Sequence, residues 1–473
     1  MLSRWRKPHA RRTRSSQILL VIQARGTHLG SNCWLAIKET KITDSPVHFE
    51  SPITVYRSRW VCPVDRAPIA DGAVVVDGRK ILSISSFTNA LDWVSDANCQ
   101  VVEMGDGAII PGLVNAHTHL EFSDLEQPLG QPGINFTDWI RLIVAQRNES
   151  NQSSDSTGDS SRKKAAINRG IDESFDSGVW AIGEIATMPF ELKDYQNRRH
   201  NMLLMCFLEQ MGFDESLFPE KEHDLAAFLT QATDVDSETV QFGASPHAPY
   251  SVGPGLLRQI CRQSTAAGRP VAMHLAETLV ERELLERQTG EFVRLLQDFG
   301  VWDPDSFAKG FSVQGSLNVI AGAPLSMVVH GNYLSGSELD FIAAKSARMA
   351  IAYCPRTHQY FGHADYPLEK MLKRRINVCL GTDSRASNPD LDLFAEAKHV
   401  ANTFSEVDPR LILEMATLNG ATALGVSGDY GSLTAGKKPA LCFVTHPDSG
   451  FGKSPYDWLF ADESKCSPLL NQG

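Results

Sequence analysis

A (β/α)8 barrel carrying a small composite β domain is the fold that this sequence predicts. Three observations point to it. Eight apolar, strand-like runs alternate with helical stretches through the middle of the chain, the signature of βα units and a parallel sheet. Polar residues of catalytic type stand at the ends of several of those runs, where a barrel gathers its chemistry. Short alternating strand patterns occur near both chain ends, too few at either to close a sheet alone.

Taken in order, the first 38 residues contain no Asp or Glu but many Arg, as in RWRKPHARRTR. The apolar run that follows, Ile18 to Ile22, is too short for a signal-peptide core, and Arg11-Arg12 alone makes a poor export signal. Residues 1–49 are therefore expected to be a basic, disordered extension. From residue 50 to 110 the expectation is the first part of the β domain. Its strands fall at Ile53 to Tyr56, Gly72 to Val76, Arg79 to Leu82 and Gln100 to Glu103. Asp77-Gly78 supplies a tight turn, because Gly tolerates positive φ. The barrel is expected over 111–425, with strands centred on Leu113-Val114, Val179 to Ile182, Leu203 to Leu208, Val240 to Ala244, Val271 to Met273, Met327 to Val329, Met349 to Tyr353 and Val378 to Leu380. That count closes a (β/α)8 barrel. A polar stretch at 148–164, NESNQSSDSTGDSSRKK, cannot bury a core and is expected to be a disordered surface insert. Residues 426–473 return to the β domain, with strands at Gly431 to Leu433 and Ala440 to Val444.

Bulk composition narrows the function classes. At 473 residues the chain can bury a large core, and 42% hydrophobic with 21% charged residues is ordinary for a globular protein. A formal net charge of -11 argues against nucleic acid as partner, since phosphate binding needs a basic face. Nine cysteines without a C-x-x-C pair read as thiols in a reducing compartment, so the expected location is cytoplasmic. No apolar run approaches the roughly 20 residues that span a bilayer, so no membrane partner is expected.

The chemistry-bearing residues lie at the strand ends. Residues two apart on a strand share a face, so His117 and His119 in NAHTH aim two imidazoles at one point. His274 and Glu277 end the fifth strand in MHLAE, His330 ends the sixth in VVHGN, and Asp383 follows the eighth in LGTDS. Three imidazoles (His117, His119, His274) and the Asp383 carboxylate suit one divalent ion, Zn²⁺ or alternatively Fe²⁺, with a position left for water. Such an ion lowers the pKa of a bound water to about 7. Glu277 is then placed to move a proton, His330 to stabilise developing charge, and Asp383 to act as both ligand and proton acceptor.

The ordered set PGLVNAHTH, HLAE, a sixth-strand His and LGTDS resembles the amidohydrolase superfamily, specifically its deaminase and chlorohydrolase branch. The resemblance covers roughly Pro52 to the C-terminus. It implies a distorted (β/α)8 TIM barrel flanked by a small β-sandwich and a metal-dependent hydrolase of carbon–nitrogen bonds. Two-metal members carry a bridging lysine on the fourth strand; VQFGASPHAPYS has none, which implies one metal ion. The C-terminal pattern departs from the usual Gly-Lys-x-Ala-Asp, since Gly436-Lys437-Lys438-Pro439-Ala440 stands here. SPHAPYS, CPRTHQYFG and GTDSRASNPDLDLF look like members that act on amino-substituted rings. The implied activity is hydrolytic deamination of methylthioadenosine, S-adenosylhomocysteine or aminodeoxyfutalosine by attack of metal hydroxide. An s-triazine (N-ethylammeline-type) chlorohydrolase is the alternative and a cyclic amide hydrolase the third. By the same analogy His247, Glu121, Arg356 and His358 are candidate substrate contacts. Glu184 and Glu209, ending strands two and three, are weaker ones. A homodimer is compatible with the resemblance.

Overall fold

The computed structural model describes residues 53–94, 98–152, 158–196, 201–234, 239–308, 311–447 and 453–469. The expected basic extension and residues 153–157 of the polar stretch lie outside them. Among the described residues no helix is long and apolar enough to cross a membrane.

Two sheets organise the fold. The first contains β1 (Ile53–Val61), β2 (Ile69–Val76), β3 (Ile81–Ser86), β4 (Cys99–Glu103) and β5 (Gly107–Pro111). The second is a run of eight parallel strands: β6 (Leu113–Thr118), β7 (Val179–Ala186), β8 (Leu203–Gln210), β9 (Val240–Pro246), β10 (Val271–Leu275), β11 (Ser326–His330), β12 (Met349–Tyr353) and β13 (Asn377–Leu380). β14 (Leu441–Thr445) and β15 (Cys466–Pro468) return to the first sheet, whose order is β15-β14-β5-β1-β2-β3 with β4 beside β1. Both chain ends thus build one curled sheet, as the two sets of short strands require.

The eight parallel strands are hydrogen-bonded in sequence order from β6 to β13, with helices in each crossover. Alternate strand residues face two different apolar clusters. Leu204, Cys206 and Met273 pack with helical residues such as Leu225 and Leu257, whereas Met205, Phe207 and Ala272 join Met327 and Ala350. That is the period-2 pattern of strands covered on both faces. Closure between β13 and β6 uses side chains and one isolated bridge, Thr118 with Asp383, in place of a continuous ladder. Asn115 Nδ2 donates to Thr382 Oγ1 at 2.8 Å, Thr382 N donates to Asn115 Oδ1 at 3.1 Å, and Asp383 N donates to the His117 carbonyl at 3.0 Å.

One apolar run in the sequence, Ala108 to Val114, is split between the two sheets. The break falls at Gly112, where a Cβ would sit 2.2 Å from the Trp180 ring. Trp180 Nε1 in turn donates to the Leu441 carbonyl at 3.2 Å, tying the returning strand to the barrel.

Two expectations need correction. Gly431 to Leu433 is not a strand: Gly431 takes φ 83°, which breaks the extended backbone. Leu433 is nonetheless buried and bonds the Pro63 carbonyl. The polar stretch is helical wherever it is described, completing helix Phe136–Gln152 and opening helix Gly158–Asp176. Its composition conceals the reason. The Lys163 ammonium donates to the Thr187 and Pro189 carbonyls at 2.7 and 3.1 Å, and the next turns bury Ile167, Ile171 and Phe175.

Candidate active site

The ends of β6, β10 and β11 and the loop after β13 bring six titratable side chains together. Ligand atoms of His117, His119 and Asp383 lie within 4.8 Å of one another, and so do those of His117, His274 and His330. His119 Nε2 stands 3.3 Å from His274 Nε2, while Asp383 Oδ1 is 3.6 Å from His117 Nε2 and 3.7 Å from His119 Nε2. Neighbours fix each group's orientation. His274 Nδ1 bonds the His247 carbonyl at 3.1 Å, which leaves Nε2 facing the cluster. Ser387 Oγ donates to Asp383 Oδ2 at 3.1 Å, which leaves Oδ1 facing the histidines. Glu277 Oε1 is 3.4 Å from His330 Nε2.

The backbone is bent to achieve this. Ala276, His330 and Asp383 all adopt left-handed φ, at 55°, 68° and 55°. Such non-glycine conformations cost on the order of 1–3 kcal/mol each and persist only where the surroundings over-determine them. Here they do. The Glu281 carboxylate accepts from Ala276 N at 2.9 Å and Glu277 N at 2.8 Å, and Asn332 Nδ2 donates to the Glu277 carbonyl at 2.9 Å. Tyr366 donates to the His330 carbonyl at 3.0 Å, and Thr118 to that of Asp383 at 2.7 Å. Glu184 Oε2 accepts from Leu120 N at 2.9 Å and so fixes the turn after His119.

Burial sets the charge states. It holds the imidazoles of His119 and His274 well below the ordinary histidine range, with His117 adding to the effect, and pushes His330 down to about 3. Neutral imidazoles are what metal ligation requires. Burial also raises the Glu277 carboxyl well above the usual range, helped by the Asp383 and Glu281 charges.

A divalent ion fits these residues. Both ring nitrogens of His117 and Nδ1 of His119 are buried without a hydrogen-bond partner. Zinc–nitrogen bonds of about 2.0–2.1 Å in a tetrahedron place neighbouring ligand atoms about 3.3 Å apart. The observed separations of 3.3, 3.6 and 3.7 Å are close to that edge.

His119, His274, Glu277, His330 and Asp383 floor a cavity of about 740 Å³, with His117 buried behind them. His247 lines it, its Nδ1 paired with Ser251 Oγ at 2.6 Å. Phe136, Trp139, Tyr250, Phe292 and Trp302 form apolar walls, and Arg147 and Glu209 add charge. The other candidate contacts point elsewhere. Glu121 receives Arg147 Nη2 and Thr187 Oγ1, each at 2.6 Å; the one-turn helix Leu120–Phe122 carries it away from the histidines. Arg356 is committed to Glu396 and Asp390 at 2.7 and 2.6 Å. His358 lines a separate hollow with His363 and His399. None of the three is among the residues lining the site cavity.

Arg147, Glu281 and Asn332 also shape the site and are not among the candidate residues read from the sequence. Only Glu281 carried a signal: Thr278-Leu-Val-Glu281 spells a helix-capping box, and Thr278 Oγ1 does accept from Glu281 N at 3.1 Å.

Known proteins of similar sequence and fold support this architecture. A 5-methylthioadenosine/S-adenosylhomocysteine deaminase of Pyrococcus furiosus is 27% identical over 76% of this chain and 77% of its own. A 5'-deoxyadenosine deaminase of Methanosarcina barkeri is 27% identical over 80% and 81%. In fold, the chain is similar to Helicobacter pylori aminofutalosine deaminase in complex with methylthio-coformycin (TM-score 0.72, 20% identity, 88% of this chain and 100% of that one). It is also similar to the Arthrobacter aurescens chlorohydrolase TrzN with zinc and atraton (TM-score 0.71, 15% identity, 88% and 94%). The amidohydrolase family profile matches residues 108–465, most of the chain and every residue of the cluster, and the protein belongs to that family.

Proposed function

We propose that this protein is a metal-dependent hydrolytic deaminase of an aminopurine nucleoside-type substrate such as methylthioadenosine, S-adenosylhomocysteine or aminodeoxyfutalosine. The observation that carries the reading is the convergence of His117, His119, His274 and Asp383 with Glu277 and His330 at the floor of one large, apolar-walled cavity. The four ligands would hold one ion, zinc by choice of donors. When bound, that ion supplies Lewis-acid polarisation and a water acidified to a pKa of about 7.

The remaining work falls to the chain's own groups. Glu277, buried and beside His330, carries one proton of the attacking water to the ring nitrogen and the second to the departing amine. The amine-bearing carbon gains the water oxygen, the C–N bond breaks, and ammonia leaves. His330 hydrogen-bonds the attacking oxygen as charge develops. The aromatic walls hold the flat ring and exclude bulk water, while His247 contacts the heterocycle or its sugar.

The test is release of ammonia, and of chloride where the probe carries it, by zinc-loaded protein on a nucleoside panel with chloro- and amino-triazines alongside. Ammonia from one nucleoside is expected. Release from triazines alone overturns the nucleoside reading in favour of the chlorohydrolase or aminohydrolase one.

A further inference from the structure

Glu209, the penultimate residue of β8 and a weaker candidate contact in the sequence, is a carboxylate to which the proposed reaction gives no role. Its side chain is 1% exposed, it lines the site cavity, and neither carboxylate oxygen has a hydrogen-bond partner. A buried carboxylate left unpaired is costly, and such a group in a folded protein calls for a specific explanation.

The neighbours supply only long ion pairs and no hydrogen bond. Arg147 Nη2 approaches Oε2 only to 3.8 Å, and His247 Nε2 approaches Oε1 only to 3.7 Å, both too long for hydrogen bonds. Neither is free to close in. Arg147 is anchored on Glu121 at 2.6 Å, and His247 on Ser251 at 2.6 Å. A second metal ion also fits poorly. Glu209, His247 and His274 lie within 4.8 Å of one another, but His274 Nδ1 is taken by a carbonyl and its Nε2 faces His119. Two donors then remain, fewer than a zinc site needs.

We propose that Glu209 selects the substrate by accepting two adjacent hydrogen-bond donors, either the vicinal hydroxyls of a sugar or an N–H edge of the ring. An ionised carboxylate only accepts, so the matching ligand group must donate. The proposal rests on the nucleoside reading only in its choice of probes. His247 lies beside both Glu209 and the histidine cluster, its Nε2 3.7 Å from Glu209 Oε1 and its ring 5.0 Å from that of His274, so a substrate held at the cluster passes within reach of Glu209.

The experiment measures Kd by calorimetry and kcat/KM for zinc-loaded full-length protein and its Glu209→Gln variant. One pair of probes is adenosine and its 2',3'-dideoxy analogue; the other is an amino-triazine and its N,N-dialkylated analogue. A site built around donors should prefer the donor-bearing member of one pair by at least about 100-fold. Glu209→Gln should reduce that preference below about tenfold with zinc content unchanged. The pair affected names the source. Equal treatment of both members of both pairs by the wild type overturns the proposal, whether or not ammonia is released. So does a preference that survives in a folded Glu209→Gln, or a second zinc equivalent lost in it. Should the variant not fold, the wild-type ratios decide alone. Ammonia release from the panel judges the deaminase reading separately.

Discussion

Two buried charged groupings sit at strand ends of the same barrel, and they differ in one respect. Behind β12, Arg356 gives Nε to Glu396 at 2.7 Å, Nη2 to Asp390 at 2.6 Å and its backbone N to Glu396 at 2.9 Å, while Asn388 also donates to Glu396 at 2.6 Å. That grouping is closed, with its charges spent on one another. At and behind the cavity floor His117, His119 and Glu209 keep buried polar atoms with no partner. That grouping is open. Burial and charge are common to both, so neither marks function by itself; what differs is that the ionic groups of the first are matched to one another and the ligating nitrogens of the second are not. A satisfied cluster holds the chain in place, and an unsatisfied one awaits a ligand.

The sharpest test of the open grouping is Asp383→Ala. It should abolish zinc binding and lower turnover by on the order of 10⁴-fold. Metal analysis together with ammonia release checks it, and full zinc occupancy in the variant would remove Asp383 from the ligand set. Glu277→Gln comes next. It keeps the ligands and should retain zinc while kcat falls about 10²–10⁴-fold, as expected for loss of a proton carrier. An active variant would sink that assignment.

For the closed grouping, Arg356→Met should cost about 3–5 kcal/mol in chemical denaturation, because Glu396 is left buried without its charged partner. At a temperature where the variant stays folded, zinc content and KM should be near wild type. A KM raised more than about tenfold would make Arg356 a substrate contact after all and dissolve the contrast.

The smallest effect concerns pH. Burial pushes the Glu281 carboxyl from an ordinary 4.5 up to about 7. Below 4.5 both folded and unfolded chains are protonated there. As pH rises the unfolded chain ionises first, so this residue's contribution to stability falls between about pH 4.5 and 7, by up to about 3 kcal/mol. Glu281→Gln should flatten that segment of the stability–pH profile, measured by urea unfolding. An unchanged slope would show that Glu281 is already ionised through its bonds to Ala276 N and Glu277 N.

The predicted strand centres fall within β6 to β13, and the six cluster residues converge, because both depend on local rules. A strand alternates faces every residue, and a parallel barrel collects the ends of its strands on one rim. The substrate contacts were harder to read. Glu121 is two residues from His119, yet a single 3-10 turn sends it to Arg147 and Thr187. Arg147, which does line the cavity, is 28 positions beyond His119 in the chain and sits on a helix. Sequence distance from a motif says little about which wall a side chain joins. The polar stretch misled for a related reason: its composition is that of a linker, but Lys163 finds carbonyls to cap only once β7 and its following loop are in place.

By itself the sequence determined the eight-strand alternation, the order of the histidines and carboxylates at the strand ends, and the absence of a lysine on the fourth barrel strand, since these are properties of residue identity and short-range periodicity. Tertiary structure alone decided three things. It set the left-handed turns at Ala276, His330 and Asp383, the pairing that closed Arg356 and Glu121 against the cavity, and the isolation that leaves Glu209 open within it. The physical reason is that a polar side chain's role depends on which partners reach it, and those partners come from distant strands brought together only when the barrel closes.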